Sequence, residues 1–459
     1  MDTNNGFQIH FLGAAGTVTG SKYLIETPKK KILIDCGLFQ GLKALRLHNW
    51  ENLPVDVHSI DFVLLTHGHL DHVGYLPRLV KAGFKGKIYA TEPTLDIAEI
   101  VLKDTAKIQE EEAERANKHK YSKHTPAKAL YDVKDAEKTF LHFSVVKPEE
   151  WIDFGGNIKA RFQTNGHILG STFIEVHIGN KKLVFSGDVG QVEDLLLNPP
   201  KRPQEADILF VESTYGDRIH PKEDIKERLK TIILDTIAKG GNVIIPSFAV
   251  ERAQTLMYLL WQLRKENAIP EIPFIMDSPM GNNVLDVFQK HLSWHKLSKA
   301  DCIEMCKPFK LVRDFKDTLA IIADPHPKII IAGSGMVSGG RVLSYLQHYV
   351  SKLETTVLFV GYQSEGTRGR RMQSGSHEIK IYGKYYEVNA RIETIHGLSA
   401  HGDQKDLLNW LSEIKTPPQK VFIVHGESQA ADAFRVKLKD TYGWDCTVPK
   451  LYDIVQIKD

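Results

Sequence analysis

The sequence predicts an α/β protein of two textures, a strand-rich pattern at both ends of the chain and an inner segment where strands alternate with helices. Three observations predict it. Short apolar runs separated by turns fill the opening residues, as in Gln8–Leu12, Tyr23–Glu26 and Lys31–Asp35. After Tyr215 apolar runs alternate with helical stretches, which implies a parallel sheet. Near Ile395 the first pattern returns. The resulting division is 1–214 and 395–459 for the outer texture and 215–394 for the inner one, and 459 residues suffice for two or three domains.

Composition narrows the class. Hydrophobic content of 42% and charged content of 25% are those of a soluble globular chain. A formal charge of +2 means that a polyanion must be gripped by a local patch. No apolar run approaches the ~20 residues of a membrane span, and Met1–Gly6 lacks signal-peptide character, so no membrane partner and a cytoplasmic location are expected. Cys36, Cys302, Cys306 and Cys446 form no C-x-x-C pair and are expected to be reduced.

In chain order, Asp35 ends the third strand. A carboxylate there can orient a metal-ligating imidazole or cap a turn. The apolar run Phe62–Leu65 reads as a buried strand, and at its end stand His67, Gly68, His69, Leu70, Asp71 and His72. Three imidazoles and a carboxylate in six residues supply nitrogen and oxygen donors for zinc. Their spacing suits a tight loop: His67 and His69 can face one ion, which leaves Asp71 and His72 for a second. A helix near Gly74–Ala82, a strand Lys87–Ala90 and a long helix Glu92–Lys120 follow, the last with a charge run that marks a solvated face.

Further strands, Ile158–Thr164, Thr172–Ile178 and Lys182–Ser186, bring His167 and Asp188 to strand ends, the position already held by the first cluster. One aspartate can bridge two cations ~3.5 to 4 Å apart and offset their repulsion. Strand Asp207–Val211 ends in Glu212, Ser213, Thr214 and Tyr215.

The inner segment follows as helix Lys222–Lys239, strand Asn242–Pro246, helix Ala249–Lys265, strand Pro273–Met276, a helix near Asn282–His291, strand Lys328–Ala332, a helix near Gly340–Lys352 and strand Thr355–Gly361. Its strand ends carry small polar residues beside arginines: Ser247 with Arg252, Ser334 with Arg341, and a glycine-rich turn with Arg368 and Arg371. Taken together these point to phosphate binding at the carboxyl ends of parallel strands. Strand Tyr385–Ile395 then leads to His401 and helix Gln404–Ile414, and strand Val421–Val424 ends at His425.

As a set, H-x-H-x-D-H at 67–72, Gly-His at 167, Gly-Asp at 188, Glu-Ser-Thr-Tyr at 212–215, Ser-Ala-His at 401 and Val-His-Gly-Glu at 424–427 resemble the metallo-β-lactamase superfamily. The resemblance is to its β-CASP branch of nucleic-acid-cleaving enzymes, which includes ribonuclease J and the cleavage and polyadenylation endonuclease subunit. It implies a metallo-β-lactamase αββα sandwich with an inserted β-CASP α/β domain. It also implies two zinc ions per chain, one held by His67, His69 and His167, the other by Asp71, His72 and His425, with Asp188 bridging. Since the chain stops at Asp459 soon after the last motif, it looks closest to short bacterial members, and tetrameric exonuclease behaviour of the ribonuclease J type is not expected.

The function so implied is hydrolysis of phosphodiester bonds in single-stranded RNA, endonucleolytic, in RNA processing or decay. Asp71 would orient the attacking water while ligating an ion, and His401 would protonate the departing oxygen with Glu212 on its other nitrogen. Ser247, Arg252, Ser334, Arg341, Arg368 and Arg371 are the candidate substrate contacts. A homodimer is one assembly open to such a chain. The alternatives are a DNA nuclease of the same branch, an ester or thioester hydrolase of the fold, and a noncatalytic scaffold with structural metal.

Overall fold

The apolar strand runs pair into two seven-stranded sheets in a unit made of Met1–Ile219 and His401–Asp459. Their coordinates come from a computed structural model that describes residues 6–120 and 124–458. The first sheet runs Ile454–Lys458, Gly6–Phe11, Tyr23–Glu26, Lys31–Ile34, Phe62–Leu64, Lys87–Thr91, Phe143–Val146. Its pairs are antiparallel as far as Lys31–Ile34 and parallel beyond. The second runs Cys446–Thr447, Lys420–Val424, Ile208–Glu212, Lys181–Phe185, Thr172–Ile178, Ile158–Thr164, Ile152–Gly155.

Alternating residues put Ile9, Phe11, Ile25, Ile32, Ile34, Phe62 and Leu64 of the first sheet against Phe162, Ile174, Val176, Phe185, Phe210 and Phe422 of the second, in one apolar core. The other face of the second sheet buries Phe173, Val184, Leu209 and Val211 under Trp410 and Leu411 of helix Gln404–Leu411 and Phe434 and Leu438 of helix Ser428–Tyr442. On the chain preceding the first sheet's last strands lie helices Leu70–Val73, Leu76–Lys81, Glu92–His119 and Val133–Phe140. The result is the αββα sandwich.

The second unit, His220–Ala400, holds a six-stranded sheet in the order Phe309–Leu311, Phe274–Asp277, Ile329–Ala332, Val243–Pro246, Thr356–Phe359, Arg391–Thr394. All its pairs are parallel. Ile244, Ile275, Ile330, Val357 and Phe359 pack there against Leu343, Leu346 and Tyr349 of helix Val342–Tyr349.

One expected strand is two. In place of Tyr385–Ile395, Lys384–Glu387 pairs in a hairpin with Glu378–Ile381, and Arg391–Thr394 joins the six-stranded sheet. Between them the Asn389 and Ala390 amides both donate to Val350 O, so the chain turns from one sheet into the other. The helix expected near Gly74–Ala82 is Leu76–Lys81, and a separate short turn not expected from sequence, Leu70–Val73, precedes it and carries Asp71 and His72. All four cysteines are free, Cys36 and Cys302 being buried.

Candidate active site

The ligand candidates come to one edge of the sandwich because each ends a strand of the two sheets. The strand Phe62–Leu64 delivers His67, and His69 stands as the N-terminal flank of Leu70–Val73 in extended backbone, which turns Asp71 and His72 into the following helical turn. After Ile158–Thr164 the His167 loop is closed by Ser171 Oγ, which accepts from the amides of His167 at 3.0 Å and Ile168 at 3.3 Å. Asn165 Nδ2 donates to Ser186 O at 2.6 Å and Asp188 O at 2.7 Å, tying this loop to the one that bears Asp188. His425 follows Lys420–Val424 with φ of 48°, and Asp35 follows Lys31–Ile34 with φ of 56°, left-handed backbone that side chains rarely adopt.

Two groups of donor atoms result. In one, His69 Nδ1 lies 3.2 Å from His67 Nε2 and 3.1 Å from His167 Nε2. In the other, His425 Nε2 lies 3.2 Å from His72 Nε2 and 3.3 Å from Asp71 Oδ2. Asp188 stands between them: its Oδ2 is 3.4 Å from His67 Nε2 and from His167 Nε2, and its Oδ1 is 3.4 Å from His72 Nε2. Tetrahedral zinc with bonds of about 2.1 Å sets its ligand atoms about 3.4 Å apart. The spacing within each group is thus close to that of donor atoms around one ion. Among the described residues Asp188 Oδ1 is buried without a hydrogen-bond partner, as suits a metal-facing oxygen.

Charge supports the same arrangement. Burial, helped by the neighbouring imidazole of His72, holds His67 well below the usual histidine range, and burial brings His69 to about 4. Both are therefore neutral at pH 7, the form that ligates. Burial also opposes ionisation of Asp188, but the imidazoles of His425, His72, His401 and His67 outweigh it and keep the carboxyl well below the carboxylate range.

The other ring nitrogens of His67, His72 and His425 are held as well. Asp35 Oδ2 lies 2.7 Å from His72 Nδ1, and Asp35 also accepts from the Thr66 amide at 2.8 Å. Thr66 Oγ1 is 3.0 Å from His67 Nδ1, and Thr214 Oγ1 is 3.2 Å from His425 Nδ1. Such outer partners fix the tautomer and the ring. Thr66 and Asn165 carry no signal in the sequence beyond adjacency to a strand end, and Thr214 is marked there only as part of the Glu-Ser-Thr-Tyr motif. Asp35→Ala is expected to weaken metal binding about 10- to 100-fold, as measured by competition with a chromophoric chelator.

Beside the two groups, His401 Nδ1 lies 3.1 Å and 3.2 Å from the two oxygens of Glu212, and His401 Nε2 is 3.8 Å from Asp188 Oδ2. Glu212 is fully buried and also accepts from the amides of Val189 at 2.7 Å and Thr214 at 3.1 Å. Burial pushes the His401 imidazole down, yet Glu212 and Asp188 more than reverse it, raising it to about 9. His401 is thus a charged donor at pH 7, oriented by a fixed carboxylate.

The residues picked out in the second unit lie around other partners. Ser247 is buried and its hydroxyl donates to Phe248 O. Arg252, also buried, donates to Leu398 O. Ser334 and Arg368 meet at one loop: Ser334 Oγ accepts from the Ser338 and Gly339 amides, and Arg368 donates to the carbonyls of Val337 and Ser338. Arg341 donates to Thr318 Oγ1 at 2.9 Å and Arg313 O at 3.0 Å, and Arg371 is exposed.

A two-sheet sandwich with paired histidine and aspartate groups along one edge defines a class of metal-dependent hydrolases. Family descriptions match in chain order: "Metallo-beta-lactamase superfamily" over 15–225, "Beta-Casp domain" over 253–372 and "Zn-dependent metallo-hydrolase RNA specificity domain" over 385–449. The chain is 35% identical over 425 residues to Ribonuclease TTHA0252 of Thermus thermophilus, covering 91% of this chain and 92% of that one. It is 30% identical over 468 residues to the transcription termination factor FttA of Methanocaldococcus jannaschii, covering 98% and 72%. A crystal structure of a protein of unknown function from Enterococcus faecalis V583 shares the fold, with a TM-score of 0.52 at 12% identity over 98% of this chain and 100% of that one.

The chain is therefore a member of the metallo-β-lactamase superfamily, and within it belongs to the β-CASP branch.

Proposed function

We propose that the chain is a zinc-dependent ribonuclease that hydrolyses phosphodiester bonds within single-stranded RNA, using two zinc ions, in RNA processing or decay. The observation that carries this reading is Asp188, whose two oxygens face separate donor groups while His401 stands beside it on Glu212. Similarity to a protein named a ribonuclease supports it.

When bound, two zinc ions would supply Lewis acidity to the phosphoryl oxygens and acidify the attacking water. His67, His69 and His167 would hold one, Asp71, His72 and His425 the other. Asp71 keeps 18% of its side chain exposed, so it can orient water from the open side while one oxygen ligates. His401 is the acid: its Nε2 gives a proton to the departing oxygen as the P–O bond breaks, and Glu212 keeps the other nitrogen protonated and the ring in place. Ser247, Arg252, Ser334, Arg341, Arg368 and Arg371 remain candidates for the phosphate track. No helix among the described residues is long and apolar enough to cross a membrane.

The test is cleavage of a 5′-labelled single-stranded RNA beside its DNA counterpart, in zinc. Internal RNA products are expected. Cleavage of neither strand by protein holding two zincs defeats the reading and makes small esters the next substrates; preferential cutting of DNA favours the DNA nuclease.

A further inference from the structure

Lys22 is 1% exposed, yet the mechanism above gives it no role. Its Nζ donates to Gly20 O at 3.0 Å and to Gly37 O at 2.7 Å. The rings of Phe39 and Tyr75 cover it, with centroids at 4.5 Å and 5.3 Å. Placing a lysine amine there costs desolvation, and burial brings it down to about 8. A simple apolar residue would fill the space without that cost.

What the amine joins is specific. The short helix bearing Asp71 and His72 is held by its carbonyls: Asp71 O accepts from Ser21 N at 2.8 Å, His72 O from Cys36 N at 2.7 Å and Leu70 O from Leu38 N at 3.1 Å. Those three amides lie in the segments 20–22 and 36–38, the two that Lys22 straps together. Packing there is close: a Cβ on Gly37 would fall 1.5 Å from Asp71 O. Two members of the other group are held elsewhere, His67 through Thr66, whose carbonyl accepts from Thr172 N at 2.9 Å, and His167 through Ser171, while His69 flanks the short helix and its carbonyl accepts from His72 N at 2.9 Å.

We propose that Lys22 is a positioning residue chiefly for one metal subsite, setting the backbone cradle that presents Asp71 and His72, while the other group keeps His67 and His167 on anchors that Lys22 does not touch. The proposal rests on the two-zinc reading. Lys22→Met keeps the stem and removes the donors. After zinc loading and dialysis, atomic emission should find two zincs per wild-type chain and one per Lys22→Met chain. Chelator competition should show only the weaker constant of the variant raised, about 10- to 100-fold, as for other outer partners of a metal site. If Lys22→Met does not fold, Phe39→Leu, which removes a covering ring and leaves both carbonyl bonds, should weaken the same constant alone. Both constants unchanged, or both weakened alike, overturns the proposal. A wild type that binds a single zinc defeats the two-zinc reading itself, and the proposal with it; that result is distinct from a two-zinc wild type with an unaffected variant.

Discussion

His401→Ala is expected to lower the rate of RNA cleavage about 10²- to 10⁴-fold, the usual contribution of a positioned acid, with zinc content unchanged. His401 belongs to neither donor group: its Nδ1 is engaged by Glu212, and its Nε2 reaches only to 3.8 Å from Asp188. Its loss therefore removes the proton donor for the leaving oxygen and leaves the ligand atoms standing. An RNA whose leaving group needs no proton, such as one ending in a p-nitrophenyl phosphodiester, should recover most of the rate. Equal losses on both substrates, or loss of zinc with the imidazole, would show that His401 holds the site and does not serve as its acid.

The second large effect is expected at Asp188. Asp188→Ala should bring zinc content from two per chain to below one and cleavage to background. The carboxylate is the anion shared by both groups, at 3.4 Å from four imidazole nitrogens. Without it the His67, His69 and His167 group keeps imidazoles at 3.1 to 3.2 Å with no negative charge among them, and Asp71 alone remains to offset the charge of two cations. The wild type should gain about 2.7 kcal/mol of stability at zinc one hundredfold above its dissociation constant, read as a rise in melting temperature. The variant should show little of that rise. A variant that keeps two zincs refutes the bridging role.

Which residues gather into the two donor groups was legible because the chemistry of ligation restricts residue type. Histidine and aspartate at the end of an apolar run have few other reasons to cluster, so His67, His69, Asp71 and His72 stand out together. Single residues were legible only as repeats of that position: His167, Asp188 and His425 each follow a strand. Of the outer partners, Asp35 and Glu212 were legible as carboxylates at strand ends, and the others were not. Thr66, Asn165 and Thr214 look like any small polar residue after a strand, and what distinguishes them is a partner on another strand. The arginines show the converse. A glycine-rich turn with arginine suggests an anion site, but Arg368 and Arg341 donate to backbone carbonyls of their own unit, an outcome that charge and spacing cannot distinguish from waiting for phosphate.

Sequence by itself determined the two textures, the strand that carries each ligand and the chemistry that those ligands permit. Strand period and side-chain chemistry are local properties, written in consecutive residues. Only the tertiary structure decided that Asp188 divides its oxygens between two groups, that Asp35 backs His72 across 37 positions, and that Lys22 straps the segments beneath Asp71. Those contacts join residues far apart in the chain, and their geometry exists only once two sheets have closed on a common core.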